Sequence, residues 1–228
     1  MPLTSFAAID NETLFLSTLA RVKKSAALSV LFLATLGSAS LAQQSMAQQT
    51  EIEIEDEVRK GFAAVLADPR VVDALAELEI REPAAIQEQF RLTEIPSPPF
   101  KEERRAAYFL EQLKARGLED AYIDAEGNAI GLRKGSGNGP LLLVAAHLDT
   151  VFPEGVDTTV NFRDGRYYAP GIGDDTRGLA AMLSVIDILN DSGIETDADI
   201  MFAGNVGEEG RGDLRGIKAI FRDHPSID

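Results

Sequence analysis

The sequence predicts an α/β fold with a mixed, mostly parallel sheet flanked by helices. Short apolar runs with strand character alternate with longer segments whose apolar residues recur at helical spacing, which is typical of a sheet covered by helices. Acidic and histidine clusters directly follow two of the apolar runs, where open α/β sheets bind their ligands. The 228 residues are 45% hydrophobic and 26% charged, ordinary values that exclude a disordered or collagen-like chain.

Residues 1–42 are predicted to be a signal peptide. Basic residues at 21–24 precede an apolar run over 26–36, and small residues then lead to a cleavage site after Ala42. The run is too short for a stable membrane anchor, so we expect an exported protein, periplasmic or secreted. A buried N-terminal helix is the alternative interpretation. Residues 43–50 are polar and are predicted to be a flexible lead.

The remaining chain divides into helices and strands by periodicity and by its breakers. Asp68-Pro69 separates the first two predicted helices, and Pro83 suits the first turn of a third. Gly117 is placed to end the fourth helix. The predicted helices cover 51–66, 71–75, 83–92, 101–116, 176–189 and 214–221. The predicted strands cover 121–124, 129–132, 141–146, 160–162, 167–168 and 200–203.

Two of these strands are predicted to be central in the sheet. Leu141 to Ala146 is a continuous apolar run, which is typical of a strand covered on both faces. Ile200 to Ala203 has the same character. The segment 160–162 and the tyrosines at 167–168 instead predict a hairpin.

Charge and composition exclude several kinds of function. The net charge of −15 repels phosphate backbones, so no nucleic-acid partner is expected. The chain has no cysteine, which excludes disulfides, thiol catalysis and cysteine-ligated metals. Histidine occurs only at positions 147 and 224, so any metal or acid–base site depends mainly on carboxylates.

Three clusters carry the candidate chemistry. They are His147-Leu148-Asp149, Gly171-Ile172-Gly173-Asp174-Asp175 and Gly207-Glu208-Glu209-Gly210. Each has a plain alternative: a hydrogen-bonded surface histidine, a helix N-cap, and a solvated acidic loop. Their order is more informative, because two clusters end strands and the third opens a helix. Paired carboxylates repel each other unless a cation or proton lies between them, so a metal site is indicated, with one glutamate as ligand and its neighbour as base.

These motifs resemble those of the zinc exopeptidase and deacylase family that includes peptidase T, glutamate carboxypeptidase, acetylornithine deacetylase and aminoacylase. The resemblance begins near Ile86 and extends to the last residue. It is supported by two flanking segments, 92–97 and 124–128. It implies a zinc exopeptidase catalytic domain and hydrolysis of amide bonds.

The resemblance also implies a role for each candidate residue at a two-zinc site. His147 resembles the histidine ligand of one zinc, Asp174 the carboxylate that bridges both, and Glu209 a ligand of the other. Glu208 resembles the general base, and Asp149 the carboxylate that orients the histidine. Co²⁺ or Mn²⁺ are alternative cations. The implied substrates are short peptides, as for a peptidase-T-like exopeptidase, or N-acyl amino acids, as for an amidohydrolase.

The family pattern is incomplete in this chain. Three of the five implied ligands are present; a further carboxylate and a distant histidine are not matched, and His224 resembles a surface turn. We therefore expect residues 51–228 to be the N-terminal part of a catalytic domain, without the lid or dimerisation domain through which the full-length form would be a homodimer. The resemblance implies that this chain alone is inactive. An inactive fragment or binding module is the second alternative to the exopeptidase.

Overall fold

The computed structural model describes residues 54–118 and 120–227. The predicted signal peptide (1–42) and flexible lead (43–50) lie outside these residues. The described helices are α1 (Asp56–Ala67), α2 (Pro69–Glu94), α3 (Glu103–Ala115), α4 (Thr176–Asp191) and α5 (Arg215–Asp223). The described strands are β1 (Tyr122–Ile123), β2 (Ala129–Arg133), β3 (Leu141–His147), β4 (Asn161–Arg163), β5 (Arg166–Tyr168) and β6 (Asp199–Asn205). None of the helices in the described ranges combines the length and the apolar character needed to cross a membrane.

The main sheet has the strand order β1-β2-β6-β3 and is mixed, as predicted. It is not mostly parallel, because only one of the three pairings between its described strands is parallel. Strands β3 and β6 are parallel, with Leu141 opposite Asp199 and His147 opposite Asn205. Strand β2 pairs with β6, and β1 with β2, in antiparallel orientation. Because β3 and β6 run in the same direction and end side by side, the loops that follow His147 and Asn205 begin at one edge of the sheet. The predicted hairpin is confirmed as the separate pair β4–β5.

The sheet lies between two layers of helices. Helices α2, α3 and α4 share the larger core with one face of the sheet, and α5 covers the other face through Ile220. The predicted apolar stripe of α4 is confirmed, because its inward positions are buried. The largest fully buried apolar side chains of the main core are Leu92, Phe109, Leu113, Leu148, Leu179, Leu183, Ile186 and Phe202.

Helix α2 corrects one prediction, because Pro83 lies inside a continuous helix and does not begin a new one. The predicted break at Asp68-Pro69 is confirmed: Asp68 caps α2 by accepting a hydrogen bond from the backbone N–H of Arg70 at 2.9 Å, and Pro69 occupies the first turn. A proline in a helix removes one backbone hydrogen bond. The helix nevertheless continues to Glu94 and packs on α4: Glu82, next to the proline, pairs with Arg177 at 3.0 Å, and the hydroxyls of Thr93 and Thr176 lie 2.7 Å apart in the core.

Strand β3 corrects a second prediction, because it is not covered on both faces. Leu142 and Val144 are 40% and 39% exposed, whereas β6 is buried along almost its whole length. The reason is position: β6 lies between β2 and β3, whereas β3 ends the four-stranded order. Among the described residues, the outer side of β3 meets only a parallel bridge from Leu141 to Ile227. Similar apolar runs therefore have different burial.

Candidate metal centre

His147 ends β3 with its imidazole buried in the protein. Its Nδ1 lies 3.0 Å from the backbone oxygen of Asp149, and a carbonyl oxygen only accepts, so Nδ1 carries the hydrogen and donates it. The other nitrogen, Nε2, lies 2.8 Å from a carboxylate oxygen of Asp174. The ring is thus held at Nδ1 by its own strand-end turn, and Nε2 points towards the acidic residues of the loops.

Asp149 binds the backbone of the Glu208–Glu209 turn, a contact that its spacing from His147 does not predict. Its side chain is fully buried and accepts hydrogen bonds from the backbone N–H of Glu208 at 3.0 Å and of Glu209 at 2.8 Å. Its nearest carboxylate oxygen is 3.7 Å from His147 Nδ1, so the shorter contact with the ring comes from the backbone oxygen. The carboxylate therefore connects the turn after β3 to the turn after β6.

The two adjacent aspartates at the start of α4 have different surroundings. Asp175 is the N-cap of α4 and accepts a hydrogen bond from the backbone N–H of Gly178 at 2.9 Å. Asp174 is 78% exposed and contacts His147 instead. The close approach of this turn needs Gly171, where φ is +74° and a Cβ would lie 2.7 Å from the Thr150 side chain. The N-cap interpretation thus applies to Asp175, and Asp174 remains available to a ligand.

Glu208 and Glu209 complete the convergence of the predicted site residues. One ligand atom from each, together with one from His147, lies in a set whose members are all within 4.8 Å of one another. Glu208 is exposed and Glu209 is half-buried. All five predicted residues, Asp149 and Asp174 included, are therefore brought together by contacts at the carboxyl ends of β3 and β6.

The electrostatics of the cluster reflect its crowded charges. Burial alone would lower the pKa of His147, but the neighbouring carboxylates of Asp149 and Asp174 outweigh it and raise the pKa to about 9. Burial would raise the pKa of Asp149, yet the imidazole and the two backbone N–H donors hold it below its usual value. Burial, followed by the carboxylates of Asp174 and Glu208, raises the pKa of Glu209. The carboxylates of the cluster thus favour the binding of a proton or a cation.

The donor set fits a divalent cation such as zinc. Zinc in proteins is bound by histidine nitrogen and by carboxylate oxygen, and both kinds of donor meet here. The half-buried Glu209, with its raised pKa, faces the carboxylates of Asp174 and Glu208, a repulsion that a cation would relieve. His147, Glu208 and Glu209 offer ligand atoms within 4.8 Å of one another, and the exposed carboxylate of Asp174 contacts His147 beside them.

His224 is not brought to this cluster. It follows α5, and its Nε2 lies 3.2 Å from the hydroxyl of Tyr122 on β1. Because β1 and β3 are at opposite ends of the strand order, this contact places His224 away from His147. The predicted surface turn fits this position.

Several supporting residues were not predicted. The side chain of Asn128 accepts from the backbone N–H of Val206 at 2.9 Å, and Arg215 contacts a carboxylate oxygen of Glu102 at 2.9 Å. Arg215 also lies against Gly207, where φ is +62° and a Cβ would be 2.6 Å from the arginine side chain. No local signal in the sequence identifies these contacts, because each joins distant segments of the chain.

Arg105 is a further supporting residue, and the sequence carried a signal for it. Residues 105, 109 and 113 lie four apart on α3 and all three are fully buried. An arginine on the same helical face as Phe109 and Leu113 indicates a buried cation. Its guanidinium donates to the backbone oxygen of Leu148, next to His147, at 2.7 Å.

Residues 143–228 match the model of Peptidase family M20/M25/M40. A proposed LysW-lysine/LysW-ornithine hydrolase of Pyrococcus furiosus is 39% identical over 120 residues, covering 53% of this chain and 33% of that protein. Carboxypeptidase G2 of Pseudomonas sp. is 33% identical over 138 residues, covering 56% of this chain and 33% of that protein. The chain thus spans about a third of the length of these curated relatives.

Two solved structures of peptidases share the fold of this chain. Aminopeptidase PepT of Bacillus cereus aligns with a TM-score of 0.53 and 25% identity, covering 63% of this chain and 40% of that one. A tripeptidase of Staphylococcus aureus aligns with a TM-score of 0.52 and 27% identity, with the same coverage. These matches confirm the resemblance that the three motifs predicted.

Proposed function

We propose that this chain, whose residues 143–228 match the model of Peptidase family M20/M25/M40, is the N-terminal part of a zinc-dependent hydrolase that cleaves amide bonds of short peptides. One observation carries the proposal: ligand atoms of His147, Glu208 and Glu209 converge within 4.8 Å of one another at the ends of two parallel strands. The likeness to aminopeptidase PepT and to the tripeptidase supports an exopeptidase of the peptidase-T type.

The role proposed for each residue follows from the exposure of its side chain and from its contacts. His147, Asp174 and Glu209 would hold zinc, and Asp174 would do so through an exposed carboxylate that already contacts His147. Bound zinc would polarise the scissile carbonyl and lower the pKa of the attacking water. Glu208, whose side chain is exposed, accepts the proton of that water and passes it to the leaving amine. Asp149 keeps both glutamates in place through their backbone N–H groups.

Glu208→Gln in the natural protein tests this proposal. The variant should retain bound zinc, because Gln preserves the shape of the loop, and its kcat on tripeptides should fall by at least about 100-fold. Zinc content is measured by mass spectrometry and hydrolysis by release of free amine. Glu111→Gln, an exposed carboxylate on α3, is the matched control and should match the wild type. Undiminished hydrolysis by Glu208→Gln contradicts the assigned base.

A substrate panel separates the remaining alternatives. Hydrolysis of N-acetyl amino acids without hydrolysis of tripeptides would replace the exopeptidase by the amidohydrolase, since the same five residues suit both reactions. Zinc binding with turnover of neither substrate would favour the inactive fragment or binding module. Absence of zinc binding would overturn the metal site itself.

Export and a homodimeric full-length form complete the proposal. Export rests on the basic and apolar pattern of residues 21–36 and on the small residues before Ala42. N-terminal sequencing of the natural protein tests it, because processing by a signal peptidase would leave Gln43 as the first residue. An unprocessed N-terminus contradicts it.

A further inference from the structure

Arg105 is a fully buried cation beside the candidate metal centre. It lies on α3 with 0% of its surface exposed, whereas its sequence neighbour Arg104 is exposed. Arginine is rarely buried completely unless its charge and its donors are satisfied. The proposed chemistry does not use this side chain, so its place in the core needs a reason.

The guanidinium donates to two backbone oxygens from different segments. Nε and Nη2 reach the oxygen of Ile95 at 3.2 and 2.7 Å, and Nη1 reaches the oxygen of Leu148 at 2.7 Å. Burial lowers the pKa of Arg105 to about 10, and the negative charge of Asp149 acts in the opposite direction. The side chain therefore stays protonated at neutral pH and keeps all of its donors.

The segment that Arg105 holds is the turn that follows β3, between the site residues His147 and Asp149. Leu148 lies between His147 and Asp149, and its own N–H donates to the oxygen of Asn205 at 2.7 Å. Thr150 connects the same turn to the loop after α2, donating its N–H to the oxygen of Ser97 at 3.0 Å. The turn is thus fixed by α3 and the loop after α2 on one side, and by β6 on the other.

We propose that Arg105 is a positioning residue for the metal centre: by fixing the peptide of Leu148 it sets the placement of the His147 ring and of the Asp149 carboxylate. The inference rests on the proposed function. The planar fork of arginine can serve two carbonyls at once, whereas lysine offers one compact point of donors and methionine offers none. Without the fork, buried carbonyls lose their partners and the turn can shift.

Metal affinity of Arg105→Lys and Arg105→Met provides the first test. The natural protein and both variants are stripped of metal and titrated with Co²⁺, whose visible absorption reports ligand geometry, in competition with a chelator. We expect Arg105→Met to bind Co²⁺ about tenfold more weakly, the low end of the range for partners outside the ligand set, with an altered spectrum. Arg105→Lys should fall between, and Arg104→Met should match the wild type.

A stability control separates positioning from general destabilisation. Ile220→Ala removes a buried side chain from α5 on the other face of the sheet, so it should destabilise the protein while leaving Co²⁺ affinity and spectrum unchanged. Wild-type affinity in Arg105→Met, or an equal loss in Ile220→Ala, would overturn the proposal. Where Arg105→Met does not fold, Arg105→Lys decides by the same criterion.

Amide hydrogen exchange in the metal-free protein distinguishes this proposal from the proposed function. Arg105→Lys should speed exchange at the N–H groups of Glu208 and Glu209, which Asp149 holds, whereas Ile220→Ala should not do so selectively. If the wild type binds no metal, the proposed function fails. The amide exchange rates of Glu208 and Glu209 then show by themselves whether Arg105 positions this turn. Unchanged exchange at both glutamates would refute it.

Discussion

Two carboxylates lie beside the imidazole of His147, and their environments are opposite. The side chain of Asp149 is fully buried and accepts two backbone hydrogen bonds, whereas that of Asp174 is 78% exposed. The buried carboxylate is part of the scaffold, because its contacts define where the Glu208–Glu209 turn lies. The exposed carboxylate of Asp174 loses little hydration in the folded protein and remains accessible to a ligand. The difference in burial therefore assigns a positioning role to Asp149 and a binding role to Asp174.

Asp149→Ala tests the buried side and should have the largest effect on the free energy of unfolding. It leaves two backbone N–H groups without their acceptor and removes a buried negative charge that lies 3.7 Å from the imidazole of His147, so we expect a loss of about 3 kcal/mol. Urea unfolding measures the loss, and chelator competition should show weakened metal binding. A variant with wild-type stability and affinity would contradict the scaffold role.

Metal removal tests the ligand side of the comparison. Zinc at 100 times its Kd should raise the free energy of unfolding by about 2.7 kcal/mol, because it binds only the folded protein. A chelator should reverse this gain in thermal unfolding. In Glu209→Gln the gain should be absent at the same zinc concentration. Equal stability with and without zinc in the wild type would exclude a folded-state metal site.

Asp175→Ala separates the helix cap from its neighbouring ligand. The variant loses the acceptor for the backbone N–H of Gly178, so α4 should lose about 1 kcal/mol of stability. Metal affinity should stay near that of the wild type, because the cap accepts from the helix. Asp175→Asn, which preserves the cap, is the control and should restore most of the stability. Loss of metal affinity in Asp175→Asn would assign this residue to the metal centre.

Asp174→Ala should have the smallest effect on stability and a clear effect on binding. Its carboxylate is mostly exposed, and exposed ion pairs contribute little, so the free energy of unfolding should change by no more than about 0.5 kcal/mol. Zinc affinity, measured by titration calorimetry, should nevertheless fall. A strong destabilisation with intact affinity would reverse the contrast between the two carboxylates.

The elements that were predicted well are those with a local cause. The stripe of α4 follows from apolar spacing, and the start of α2 follows from Asp68 and Pro69. The errors arose where tertiary contacts override a local signal. Pro83 is accommodated inside α2 by packing on α4, and β3 is partly exposed because β6 takes the more central place.

The candidate site divides in the same way. Its ligand residues were recognisable as contiguous motifs after strands, because a strand end and a glycine turn are local features that carry side chains to one edge of a sheet. The partners in the supporting contacts were not, since these contacts join residues 43 to 113 positions apart and most of them involve backbone atoms common to every residue. The sequence by itself thus determines which residue types are available as ligands. The tertiary structure decides how those ligands are held, because the parallel pairing of β3 with β6 brings them together and the buried side chains of Asp149 and Arg105 fix the turns that carry them.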